Sequence, residues 1–415
     1  MSDMKVLLVK KRFPYSFAGY LKDQKGVTLI LVAGMMLLLL GVVAIAIDVG
    51  YYMVGRNELQ NIADAAALAG CRKLGADYQS MSLEEQRNYE CNRAAIVSIA
   101  QEVGLNNNAG GSTEGITILD GDVIIGTWDG TELSPGLNQP DAVKVTARRD
   151  ASANSPITTF FFKIFDVETM SVFMDATAAL TGQGTTDEGE LELPVGISKW
   201  FFESGHGCND YIVFHPSNDP NSCAGWNVWD ESPASAATLK DILNGEITSP
   251  ETISGDTEFA FTGGDVASSF DELLLLFMRK GYDTQADGVT PAQADGDGNP
   301  LSGALPDGAE GTVPLMELNK GVLERAYYPD DNKNPTPRNL HRWETSVVVY
   351  DLEDCSNPTG SIKIVGYAKI ALTNVQVSPD KKIVGQILCD LFSNFDTRGG
   401  GGEFGVKGTI PGLVE

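Results

Sequence analysis

VTLILVAGMMLLLLGVVAIAI, residues 27–47, has no charged side chain and one polar one, Thr28. At about 1.5 Å per residue its 21 residues reach roughly 31 Å, the thickness of a bilayer's hydrocarbon core. Lipid offers no partner to a backbone N–H or C=O, so a single crossing has to be helical. The run from Val27 to Ile47 therefore reads as one membrane span. It passes without a break into the polar NELQNIADAAALAG, residues 57–70, where Leu59, Ile62, Ala66 and Ala69 recur on one helical face. One helix from Val27 to about Leu74 is expected, standing clear of the bilayer. A cleaved secretory signal is the alternative, but it has a shorter apolar core and a small-x-small site after it. Ala63, Ala65, Ala66, Ala67, Ala69 and Gly70 keep the upper part thin, so that another helix or a small domain can approach. Alanine also simply favours helix.

Charge gives the span a direction, because basic residues are retained on the cytoplasmic side. Of 30 basic and 56 acidic residues, Lys5, Lys10, Lys11, Arg12, Lys22 and Lys25 precede the run against only Asp3 and Asp23, which leaves 24 basic and 54 acidic residues beyond it. The bulk of the chain is expected outside the cytoplasmic membrane, in the periplasm or beyond, with Tyr51 and Tyr52 at the outer headgroups. Such an acidic surface repels nucleic-acid phosphates and anionic headgroups, so no nucleic-acid partner is expected.

The stretch KGVTLILVAGMMLLLLGVVAIAIDVGYYMVGRNELQNIADAAALAG, residues 25–70, resembles the amino-terminal segment of the TadG-like proteins of Tad (Flp) pilus systems. The matching elements are Lys25 and Gly26, the apolar span, the exit Asp48, Val49 and Gly50, then Leu59, Gln60, Asn61 and the run Ala63 to Ala69. A fainter likeness continues in NQPDAVKVTARRD (138–150) and TTFFFKIFDVETMSVFMDATAAL (158–180), so that it covers about residues 26–180; beyond that it rests chiefly on SCAGWNVW (222–229). Many TadG proteins carry a von Willebrand factor A domain, whose metal site needs Asp-x-Ser-x-Ser after a buried strand. Asp230 to Ala234 lacks the last serine and the strand, so that domain and its metal-dependent adhesion are not carried over. QKGVTLI (24–30) is also similar to a type IV prepilin junction cut after Gly26. There Leu31 replaces the glutamate that pilins typically need, which favours an anchored subunit over a filament-forming pilin.

All six cysteines lie beyond the span, and their even number suits an oxidising compartment. By proximity they group as Cys71 with Cys91, Cys208 with Cys223, and Cys355 with Cys389, three local disulfides out of 15 connectivities. Each would contribute roughly 3–4 kcal/mol in the chain-entropy model. No C-x-x-C occurs and histidines number three, so zinc is not expected.

The fold class expected is α+β. Residues 1–25 read as a cytoplasmic segment, 26–74 as the span and its extension, and 75–180 as an α+β domain with a helix to about residue 104. Strands are expected there at Gly115 to Leu119, Val123 to Trp128, Ala142 to Ala147 and Ser171 to Ala176. TGQGTTDEGELELP, 181–194, reads as a linker. Residues 195–398 form a β-rich domain of antiparallel sheet, with strands in Tyr211 to Phe214, Glu258 to Thr262, Thr345 to Leu352, Ser361 to Val375 and Lys382 to Phe392. Helices are expected at Thr238 to Leu243 and Ser268 to Lys280, the second with Ser269 as N-cap. The Gly-rich tail, 399–415, is expected to be mobile or to dock as an edge strand.

Candidate chemistry is sparse. Asp295, Asp297 and Asn299 alternate as in the opening of a calcium loop, and Asp330, Asp331 and Asn332 form a second acidic loop. Pro300 then replaces the turn glycine and Pro306 the bidentate glutamate, so a solvated turn is preferred. His206 lies between Ser204 and Asp210, too near in sequence for a catalytic triad, and no G-x-S-x-G elbow is present. His215 and His341 read as structural. Trp226 and Trp229 are either an exposed contact patch or core residues beside a disulfide, the latter preferred. With no P-loop or Rossmann fingerprint, no cofactor or small-molecule substrate is expected. The resulting expectation is a single-pass, non-enzymatic scaffold or minor subunit of a Tad-type pilus assembly apparatus, working by contact with pilus or envelope proteins. A surface adhesin or pilin-like subunit is the alternative, and an envelope hydrolase a further one.

Overall fold

A computed structural model describes residues 24–214, 223–262, 266, 269–284, 340–377 and 381–414. The stretches holding Asp295, Asp297 and Asn299 and Asp330 to Asn332, together with His215 and residues 1–23, lie outside the described residues. Helix α1, Gln24–Gln79, is continuous through the apolar run and its polar extension. No proline interrupts it, and its backbone bonds close internally through both the apolar and the polar part. From Gly55 onward it buries Leu59, Ile62, Ala63, Ala66, Ala67, Cys71, Leu74 and Tyr78, a stripe at intervals of three and four residues.

That stripe packs against a helix and a sheet. After α2, Leu83–Arg87, comes α3, Arg93–Leu105, which lies along α1 and buries Ile96, Val97 and Ala100. The strands β1, Val123–Trp128, β2, Leu133–Pro135, β3, Ala142–Arg149, and β6, Val172–Ala179, form an antiparallel sheet in the order β6-β3-β1-β2. Between β3 and β6 runs a short ladder of β4, Ile157–Thr158, and β5, Thr169–Met170. Alternation puts Val143, Val145 and Ala147 of β3 inward beside Ala176 and Ala178 of β6, while Lys144 and Asp175 pair outward. These inward residues are small, so the helix comes close: a Cβ on Gly70 would meet Ile96 and Val143 at 3.2 Å. Each large side chain the helix buries here contributes about 1.5–3 kcal/mol. The domain that approaches the alanine-rich stretch is thus the chain's own. Gly115 to Leu119 is irregular rather than a strand; it covers the end of α3, with Ile116 and Ile118 buried.

The segment expected as a linker is built in. Within it β7, Thr185–Thr186, pairs with β11, Thr252–Ile253, and Leu191 and Leu193 enter a second core. That core fills a ring of strands: β8, Val195–Ser198, β10, Ala224–Asn227, β12, Glu258–Thr262, β14, Leu340–Tyr350, and β15, Gly360–Gln376. Their pairings run β14-β8-β10-β12-β15 and close from β15 back to β14, all antiparallel except β14 with β8. Seventeen residues long, β15 can pair with β12 near its start and with β14 and β16, Lys382–Leu388, further on. Outer strands β9, Tyr211–Phe214, and β13, Tyr282–Thr284, pair with β16 and β14. Helix α4, Lys199–Glu203, follows β8, while α5, Ala236–Asn244, and α6, Phe270–Lys280, cover the core. Ser235 caps α5 through its side chain. Ser269 holds the corresponding place on α6, yet its hydroxyl makes no cap bond.

The disulfides are long-range, which corrects the pairing by proximity. Cys208 bridges Cys389 and Cys223 bridges Cys355, while Cys71 and Cys91 are buried free thiols. Cys208 precedes β9 and Cys389 follows β16, so antiparallel pairing brings those strand ends together and the bridge staples an outer edge. The Gly-rich tail docks. β17, Leu391–Phe392, pairs with β18, Val406–Lys407, and β19, Gly412–Leu413, adds to β6 as the edge of the sheet that packs on α1.

Candidate interaction surfaces

From Thr28 to Ile47 the side chains of α1 are exposed apart from half-buried Ala44. Gly34 and Gly41, two turns apart on one face, have open space where a Cβ would stand. A second helix can therefore approach α1 closely along that line, the arrangement that favours helix association in lipid.

At Asp48, the first residue beyond the apolar run, the chain meets its own globular part. The carboxylate accepts hydrogen bonds from the backbone N–H groups of Phe160 at 2.8 Å, Phe161 at 2.8 Å and Phe162 at 2.6 Å. It is 2% exposed, and a carboxylate so enclosed needs partners of this kind. Those donors open the short 3-10 turn Phe162–Phe165, so Asp48 fixes this loop to the helix. Beside it, the Tyr51 hydroxyl donates to the Gly110 carbonyl at 3.0 Å, and its ring meets the edge of Phe160 at 5.1 Å. The sequence signal was available: an acid at the end of an apolar span must be satisfied by something.

A polar cleft of about 380 Å³ opens next to α1, lined by Glu58, Asn61 and the turn Asn106 to Asn108. Amide and carboxyl groups there can hydrogen-bond a polar partner surface. At the upper end of α1 the tail forms a clasp. Tyr78 stacks on Phe392 with centroids 3.6 Å apart, and the Gln86 side chain bonds the Tyr78 carbonyl at 3.1 Å and the Phe392 N–H at 3.2 Å. Lys407 pairs with Asp141, which is 5% exposed and also accepts from the Trp128 N–H at 2.7 Å.

The candidate catalytic groups do not converge. His206 Nδ1 lies 3.5 Å from Asp210 at the surface, its ring stacks on Phe201, and the Ser204 hydroxyl donates to the Phe201 carbonyl. His341 is buried, its Nε2 3.0 Å from the Phe277 carbonyl. Among the described residues no three His, Cys, Asp or Glu side chains gather as a metal site. Trp226 and Trp229 are 5% and 2% exposed, so they belong to the core and form no contact patch. In the second core, burial pushes the Glu190 carboxyl up to about 7, although Gln183 and the Asp187 N–H donate to it.

Residues 26–77 match the model of the family described as "Putative Flp pilus-assembly TadE/G-like". No curated protein matches the chain, and no solved structure does.

Proposed function

We propose that this chain is a single-pass protein of the bacterial cytoplasmic membrane that serves a Flp-type pilus assembly apparatus by contact rather than catalysis. The family match over residues 26–77 carries the reading, because it falls on the one helix that joins the span to the globular part. The bare span with Gly34 and Gly41 on one face supports helix-to-helix association in the membrane. The basic residues just ahead of the span, Lys10, Lys11, Arg12, Lys22 and Lys25, support an outward-facing bulk. On this reading α1 is both anchor and strut: it pairs with partner helices in lipid and holds the disulfide-tied β-rich part at a set height above it.

Photo-crosslinking from position 41 in intact cells, followed by mild-detergent purification, tests the role. Adducts with other pilus components are expected, whereas adducts only with lipid or with unrelated abundant proteins would overturn it. Protease added to spheroplasts tests the orientation. Degradation of the carboxyl-terminal bulk is expected, and its survival in a sample where known outward-facing proteins are cut would reverse the assignment.

A further inference from the structure

The loop between β4 and β5 carries an unusual surface. Ile164 is 77%, Phe165 69% and Phe160 57% exposed, and Phe161 and Val167 also face outward. Large apolar side chains grouped this way mark a contact site rather than a water-facing turn. The loop is also fixed in place. Its base is closed by the Thr159 N–H to the Glu168 carbonyl at 3.0 Å and the Thr159 hydroxyl to the Val167 carbonyl at 2.6 Å, and its first turn is held by Asp48. Asp48 lies one helical rise, about 1.5 Å, past Ile47. The anchoring point of the loop is thus level with the end of the apolar span, and exposed Val49, Met53 and Val54 extend that apolar surface past it on α1.

We infer that the Phe160–Val167 loop is a second membrane contact, seated in the outer-facing headgroup region beside α1, and that its partner is the lipid surface itself. Continuity with the span argues for lipid over a protein groove. The exposed apolar surface of α1 does not stop where the loop begins, and the loop's height is set by the helix that crosses the bilayer. Phe160, Ile164 and Phe165 supply the apolar face, exposed Lys163 between them can meet lipid phosphates, and Asp166 and Glu168 at the loop's end limit its depth. Two attachments fix more than one does: a lone helix can rotate and tilt, whereas a helix plus a wedge at its exit sets which face of the globular part looks toward neighbours.

This inference rests on the membrane-anchor reading, and the experiment separates the two. Full-length chains bearing Phe165→Trp or Leu39→Trp are reconstituted in phosphatidylethanolamine and phosphatidylglycerol vesicles, and the emission added over the parent, which already holds five tryptophans, is measured. Phospholipids brominated near the headgroup or deep in the acyl chain serve as quenchers. Both positions are exposed, at 69% and 60%, so the larger ring displaces no core. Loss of the added Phe165→Trp emission to shallow bromines more than to deep ones is expected, with the reverse order for Leu39→Trp. If Leu39→Trp is quenched while Phe165→Trp is untouched by either lipid, the loop lies in water or under a protein and the inference falls while the anchor stands. If neither is quenched, the anchor reading fails and takes the inference with it.

Discussion

Cys71 and Cys91 are 0% and 5% exposed in the core between α1, α3 and the sheet, and burial pushes both thiols up from the ordinary range. A thiol that is neither ionised nor reachable does not react. Alkylation of the native, unreduced protein is therefore expected to label neither, denaturation to expose two thiols, and reduction to release the remaining four of the six. Peptide mapping should recover Cys208 linked to Cys389 and Cys223 to Cys355; a Cys71–Cys91 peptide would contradict the fold. Glu190 offers a residue-scale test through pH. Its folded value, about 7, is raised chiefly by burial, then by Asp187, against the pull of Gln183, the Asp187 N–H and Lys369. A carboxyl raised on folding favours the folded state while protonated, so its contribution is full below the unfolded value near 4.5 and is lost as pH rises through about 7. Thermal stability of the protein in detergent should accordingly fall between those values, by ~3 kcal/mol from this group. Glu190→Gln should flatten that slope, and an unchanged slope would assign it to other groups.

Among the elements, α1 and its buried stripe were legible because 3.6-residue periodicity is a local property: Leu59, Ile62 and Ala66 point to one side whatever they pack against. Strands β9, β12, β14, β15 and β16 were legible for the same reason, as β-branched and aromatic runs of strand length, whereas the short β8, β10 and β13 were not. Partnership between elements was not. β8 pairs in parallel with β14, which starts some 140 residues later, and each disulfide follows such pairings rather than sequence distance. The Asp48 contact with the Phe160–Phe162 backbone is similarly remote, so its acid could be recognised in the sequence but its partner could not. As a tether of one element to another it has a measurable strength. Asp48→Ala removes the acceptor of three backbone N–H groups, a loss of about 1–2 kcal/mol by analogy with a helix cap. In detergent, chymotrypsin should then cut at Phe160–Phe165 on the order of tenfold faster than in the parent, because cleavage follows the population of the opened loop. Equal rates would mean that the β4–β5 ladder alone holds it.

Across the whole molecule, the last 25 residues join what would otherwise be two separate cores. β17 lies against the end of α1 and its partner β18 against β15, β19 completes the sheet that packs on α1, and Arg72 binds the Thr409 carbonyl at 3.0 Å and Asp396 at 2.5 Å. The tail crosses α1 at Gly75, where any Cβ would run into the Thr409 carbonyl. Backbone cannot give way as a flexible side chain can, so Gly75→Val should cost about 1–3 kcal/mol. Little in RGGGGEFGVKGTIPGLVE announces this role, since its glycines suit backbone packed against backbone as well as they suit a free end; Gly401 donates to the Gly182 carbonyl at 2.8 Å. Ending the chain at residue 405 removes β18, β19 and the Lys407 partner of buried Asp141. Without that cation the acid keeps only the Trp128 N–H as a partner, a loss of about 3–5 kcal/mol that falls on the core around α1, while the disulfide-tied core keeps its ring of strands. Calorimetry of the full chain in detergent should therefore show one cooperative transition, and the shortened chain two, the lower belonging to the domain on α1. A single unshifted transition in the shortened chain would show that the tail rests on the two cores without coupling them.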